Sequence, residues 1–149
     1  KRFAQNAQAL EELGIATPKV GESVWLEPSQ GVSACLYQPL DGIPLESLFK
    51  QQRQLFDAHL SDLAAYINHL HQNGIYFRSL HLGNVLQLPA GGYGLIDFLD
   101  LRIKRGPLSK NLIRRNFAHL QGYLKRRKVA GFPWEELMRG YEFASRSSN

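Results

Sequence analysis

Between Leu101 and Trp134 this 149-residue chain contains no acidic residue, and it is short of several other things as well. It has one cysteine, Cys35, which excludes an internal disulfide and suits a reducing compartment. That cysteine sits in the apolar segment VSACLY and reads as a buried, inert thiol. No apolar run approaches the roughly 20 residues that a membrane-crossing helix needs. The opening segment KRFAQNAQAL lacks the apolar core of a signal peptide. There is no initiator methionine, the only methionine being Met138, so the chain is expected to be trimmed or partial. No internal repeat or low-complexity stretch is present. What remains is 44% hydrophobic and 11% aromatic, which suits one soluble globular domain or a large piece of one.

The missing acids make the charge lopsided. Arg102, Lys104, Arg105, Lys110, Arg114, Arg115, Lys125, Arg126, Arg127 and Lys128 are ten of the 18 basic residues. The whole chain carries +5, so the remainder carries −5. Such asymmetry points to an anionic partner: a phosphorylated glycolipid, a membrane surface or a nucleic acid. The plainer alternative is a solvated helix face followed by a basic turn.

Apolar spacing gives the element order. Residues 2–13 read as a helix with Phe3, Ala7, Leu10 and Leu13 on one face and Gly14 as its stop. Strands near 22–27 and 32–37 follow, and Pro39 with Asp41-Gly42 closes that hairpin. A short helix is predicted over 45–55 and a longer one over 57–72, ending at Gly74. Residues 75–84 read as a loop, and strands at 85–88 and 93–98 flank the turn Pro89-Ala90-Gly91-Gly92. A basic helix runs from Ser109, its N-cap, to Arg127, with Ile113, Phe117, Leu120 and Leu124 as its apolar stripe. Pro133 starts a last helix through about Ala144. The predicted class is α+β, with the sheet in two small separate pieces.

Residues 69–98, HLHQNGIYFRSLHLGNVLQLPAGGYGLIDF, carry the chemistry. Thirteen positions separate Asn84 from Asp97, room for a hairpin that brings the two side chains together. A neutral amide oxygen beside a carboxylate is a hard-oxygen pair of the kind Mg²⁺ takes when it also holds phosphate. Gly83 permits a close approach that a side chain would block. His81 is placed to brace the loop, through its backbone or through Asp97, and Arg78 to pair with a carboxylate or phosphate. Taken singly, each is an ordinary turn, cap or structural residue; the combined spacing argues for a site.

The pattern LH-x2-GI-x3-SLH-x-GNVL followed by IDF resembles the catalytic and metal-binding loops of the protein-kinase-like superfamily. It is most similar to the lipopolysaccharide kinase family of Gram-negative bacteria, the Kdo and heptose kinases. The match runs through Phe77-Arg78-Ser79, Leu80 to Asn84, and Ile96-Asp97-Phe98. The first helix with Leu13 to Pro18 resembles the family's regulatory helix and the turn after it. The resemblance implies an N-terminally truncated kinase fold. Residues 1–40 would be the remnant of the N-terminal lobe, and 41–149 the mostly helical C-terminal lobe. It implies ATP and Mg²⁺ as cofactors, with Asn84 and Asp97 on the metal and Gln38 and Leu40 at the adenine hinge. Ser79 would stand at the catalytic-Asp position, with Arg78 and His81 beside it. The implied partner is an anionic glycolipid, the lipopolysaccharide core, met at the cytoplasmic face of the inner membrane by peripheral contact.

The chain departs from the family at several points. It has no glycine-rich loop and no strand with the ATP-binding lysine. Asn6 stands where that lysine's Glu partner is expected, and Asn116 where an Asp often anchors the catalytic loop. Ser79 replaces an Asp whose general-base help is worth roughly 10²–10⁴-fold in rate. Asp100 or His81 is a candidate substitute. Two expectations follow: an ATP-dependent sugar kinase, or a catalytically impaired pseudokinase with a binding or regulatory role. A third reading, nucleic-acid binding by the basic helix, has no RNA motif or recognition-helix signature behind it.

Overall fold

A computed structural model describes residues 2–30, 32–96 and 100–147. The order is α1 (Arg2–Glu12), β1 (Lys19–Glu27), a 3-10 turn (Pro28–Gln30), β2 (Val32–Gln38), β3 (Ile43–Pro44), α2 (Leu45–Gln51), α3 (Arg53–Ala58) and α4 (Leu60–Gln72). Then come β4 (Ile75–Phe77), β5 (Val85–Gln87), β6 (Tyr93–Leu95), β7 (Leu101–Ile103), α5 (Lys110–Arg126) and α6 (Trp134–Ser147). The class is mixed α+β, as expected. No described helix is long and apolar enough to cross a membrane.

Where α1 stops is dictated by Gly14. It takes φ +75°, and Ile15 N–H reaches back to the Leu10 carbonyl at 2.9 Å while Gly14 N–H reaches Glu11, also at 2.9 Å. This paired closure satisfies carbonyls that the helix end would leave bare. The chain then lays Ala16 beside β6, where Leu95 N–H bonds the Ala16 carbonyl at 3.0 Å.

The expected helix over 45–55 is two helices, and the expected start of the next one at 57 is displaced to Leu60. Gln52, at φ −139° and ψ 58°, breaks the first run, and His59 separates α3 from α4. The break has a packing cause. In an unbroken helix Phe49 and Phe56 would be separated by about 10 Å along the axis. In the structure their rings meet edge to face at 5.2 Å, with Phe132 6.0 Å from Phe56. Arg53 fastens the corner, lying 4.4 Å over the Phe49 ring and donating to the Gly131 carbonyl at 2.6 Å.

The sheet is in three antiparallel pieces among the described residues, not two: β1-β2, β3-β5-β6 and β4-β7. Sequence reasoning reads residues 75–84 as loop, but Ile75, Tyr76 and Phe77 pair with Ile103, Arg102 and Leu101. All three are buried, so no alternation of polar and apolar residues marks the strand. Gly74 makes the pairing possible. It sits at φ +77°, and a β-carbon there would fall on the Lys104 and Gly106 carbonyl oxygens.

α4 is the spine. Leu60, Leu63, Ala64, Ile67 and Leu70 are buried on its inner side. α6 crosses it so closely at Gly140 that a β-carbon would stand 2.9 Å from Ala64 Cβ. Phe117, Leu120, Tyr123 and Leu124 of α5 join the same core with Leu137 and Tyr141 of α6. Ser109 caps α5 as predicted, its Oγ accepting from Leu112 N–H at 3.3 Å. These helices form the bed on which residues 77–84 rest.

Candidate active site

The loop after β4 alternates. Phe77, Leu80, Leu82 and Val85 are buried, while Arg78 is exposed and Ser79, His81 and Gly83 are half-buried. Apolar residues therefore nail the backbone down and the polar ones project between them. Two turn bonds fix the path: Leu80 N–H to the Phe77 carbonyl and Asn84 N–H to the His81 carbonyl, both 3.0 Å.

Beneath the loop lies a buried polar chain. The Asn116 amide donates through Nδ2 to the Phe77 carbonyl at 2.7 Å. Its Oδ1 must then accept, and His71 Nε2 stands 2.9 Å away, so that nitrogen carries the proton. His71 Nδ1 is left as acceptor for the Tyr141 hydroxyl at 2.8 Å. One tautomer satisfies all three links. Burial, opposed by the Asn116 bond, pushes the His71 pKa down to about 4, so the ring is neutral at physiological pH. Burial likewise pushes the Tyr141 hydroxyl up to about 12. Asn116, which departs from the Asp expected at this position, still ties down the loop, as a donor to a carbonyl, a role a carboxylate cannot take.

Asn84 is 5% exposed and its amide nitrogen is committed: Nδ2 donates to the Ser79 carbonyl at 2.9 Å and lies 2.9 Å from His81 Nε2. With Nδ2 given to the Ser79 carbonyl, Oδ1 is the atom of Asn84 that could meet a metal. Ile96 N–H bonds the Asn84 carbonyl at 3.0 Å, so β6 brings the residue preceding Asp97 against the loop. Asp97 itself lies outside the described residues.

His81 braces the loop, as expected. Its ring stacks on Tyr123 with centroids 4.5 Å apart and planes 17° from parallel, and Gly83 N–H approaches its Nδ1 at 3.2 Å. Gly83 is confined between His81 and Glu46: a β-carbon would sit 3.3 Å from both the ring and Glu46 Oε2. Glu46 escapes sequence reasoning, since nothing but its place at the start of α2 distinguishes it. Its carboxylate holds Lys50 at 3.1 Å and Arg127 at 3.6 Å. The Lys50 hydrogen bond, ahead of the Arg127 charge, draws its pKa below the usual carboxylate range.

Ser79 is not isolated. Its hydroxyl donates to Asp100 Oδ2 at 3.0 Å, across 21 residues of sequence. A carboxylate thus stands beside position 79, on the residue just before β7. Arg78 makes no ion pair among the described residues, and of the ten cations between residues 101 and 128 only Arg127 makes one.

The hinge expectation is divided. The Gln38 side chain lies outside the described residues. Leu40 packs on Gly94 of β6, where a β-carbon would fall on its side chain. An open groove lies elsewhere, between α4 and α6, lined by Asn68, Gly140 and Phe143 and by none of the loop residues. No protein-family model matches the chain, and no curated protein matches it.

Proposed function

We propose that the chain is part of an ATP-dependent phosphotransferase of the protein-kinase-like type, acting on a sugar hydroxyl of a lipopolysaccharide core or similar anionic glycolipid. On this reading residues 1–40 are the end of the N-terminal lobe and 41–149 the C-terminal lobe. The observation that carries it is the double latch on residues 77–84. Asn116 holds the Phe77 carbonyl from below, and Asn84 holds the Ser79 carbonyl from within. Phosphoryl transfer depends mainly on positioning and charge neutralisation, and a rigid loop offering an amide oxygen meets the first need.

Mg²⁺, held by Asn84 Oδ1 and the Asp97 carboxylate, would supply neutralisation of the transferring phosphate when bound. The protein's own groups divide the remaining work. Asp100 takes the proton of the acceptor hydroxyl, and that oxygen attacks the γ-phosphorus as its bond to ADP breaks. Ser79 orients Asp100 through their 3.0 Å bond. Leu40 and Gln38 border the adenine. The unpaired cations from Arg102 to Lys128 meet the acceptor and hold the protein to the cytoplasmic face of the inner membrane by charge.

The test is Mg²⁺-dependent ATP turnover by the natural full-length protein. Asp100→Asn should slow it by roughly 10²–10⁴-fold, the worth of general-base help. Ser79→Ala, which leaves the carboxylate in place, should cost less. Full rate in Asp100→Asn would remove Asp100 from the mechanism. Tight ATP binding without turnover would favour the pseudokinase reading, which Ser79 at the base position motivates.

A further inference from the structure

The basic residues of α5 are not spread evenly over its surface. Arg115, His119, Gly122 and Arg126 fall on one stripe, four, three and four residues apart. Gly122 has no β-carbon, and one built there would stand 3.1 Å from an Arg126 guanidinium nitrogen, so Arg126 folds back along the helix towards His119. Tyr76 of β4 closes the other side, its hydroxyl 3.0 Å from His119 Nε2. Two residues on is Arg78, beside Ser79. Arg78, Arg115 and Arg126 are exposed and act together on one imidazole. Burial first, then the charges of Arg78, Arg115 and Arg126, lower the His119 pKa. No acid pairs with any of the three arginines among the described residues. Like charges gathered this way repel, and the repulsion is relieved when an anion sits among them.

We infer that Arg78, Arg115 and Arg126, around His119 and Tyr76, form a binding site for a phosphomonoester that the acceptor already carries. Three guanidinium groups can surround a phosphate with charge-assisted hydrogen bonds, and the Tyr76 hydroxyl and His119 ring add polar edges. Arg78 ties the site to the catalytic loop, so a phosphate held there sets a neighbouring hydroxyl towards Ser79 and Asp100. The enzyme would then act after a reaction that has phosphorylated the same glycan. That last step rests on the phosphotransferase reading; the anion site does not.

The probe is inorganic phosphate at low ionic strength, followed through the His119 ring signals by NMR. The expected result is saturable binding that raises the His119 pKa. The affinity should fall about tenfold for each of Arg115→Ala and Arg126→Ala, and stay unchanged in Arg139→Ala, a charge-matched control on α6. These side chains are exposed, so the variants retain the fold. Unsaturable binding, or losses equal in Arg139→Ala, would overturn the site. So would binding to phosphatidylglycerol vesicles that inorganic phosphate does not displace, which would make the patch a general membrane-facing charge. In the transfer assay, Arg115→Ala/Arg126→Ala should raise the acceptor KM and leave kcat in place. Phosphate binding in a protein that transfers nothing would sink the phosphotransferase reading and leave the anion site standing.

Discussion

Acidification should loosen this protein through one buried ring. His71 is 1% exposed and neutral, donating to Asn116 and accepting from Tyr141. Its pKa of about 4 in the folded chain lies below the 6.5 of a solvated imidazole. Between those values the unfolded chain binds the extra proton, so stability falls as pH falls. The contribution is complete above pH 6.5, is lost on the way down to about pH 4, and levels off below. A gap of about 2.5 units at 1.36 kcal/mol each is about 3 kcal/mol, a large share of the 5–15 kcal/mol that holds a typical domain together. Urea denaturation at half-unit steps from pH 7.5 to 4, compared with His71→Gln, isolates the effect. Glutamine can donate and accept in the same places but does not titrate. The native protein should lose about 3 kcal/mol more than the variant over this range. Parallel curves would refute the neutral buried ring.

Four further outcomes follow from single positions. Asn116→Leu leaves the His71 N–H and one lone pair of the Phe77 carbonyl without partners, and should cost about 2–4 kcal/mol in urea denaturation. Gly74→Ala forces a β-carbon onto two carbonyl oxygens at positive φ and should cost about 2–5 kcal/mol. Gly14→Ala, at a similar φ with open space around it, should cost about 1–2 kcal/mol in the same assay. Lys128 holds φ 52° at the end of α5, where Val129 N–H bonds the Leu124 carbonyl at 3.0 Å. Lys128→Gly should therefore raise the midpoint of thermal unfolding, by about 1 kcal/mol of stability.

Long helices with one apolar stripe were legible in the sequence. α5 lies where the spacing of Phe117 and Leu120 puts it, α4 ends as the spacing of Leu63 and Ile67 implies though it starts three residues late, and α6 follows Pro133 as expected. The β4-β7 pair was not legible, because a three-residue strand with every residue buried leaves no period to read, and its partner residues lie 24 to 28 positions away. The break at Gln52 was hidden too, since it is set by rings that meet only in three dimensions. Within the site, Asn84, His81 and Gly83 could be picked out because their combined spacing, with Ile96-Asp97-Phe98 after them, argues for a site where each residue alone does not. Glu46 and Tyr141 could not, since each is joined to the loop by folding alone, and His71 falls inside the motif while its bonds to Asn116 and Tyr141 are set by folding. The Ser79–Asp100 bond falls between: the sequence offers Asp100 as a candidate substitute base, and its bond to Ser79 depends on the β4-β7 pairing.

The central claim is a Mg²⁺-dependent transfer of phosphate built on Asn84 and Asp97. The most direct measurement is incorporation of labelled γ-phosphate from Mg·ATP into lipopolysaccharide core that lacks the phosphate to be added but keeps one phosphomonoester, by the natural full-length protein, with Asp97→Ala alongside. The account predicts label in the glycolipid and its loss in Asp97→Ala. An unlabelled glycolipid, or equal labelling by the variant, would contradict it.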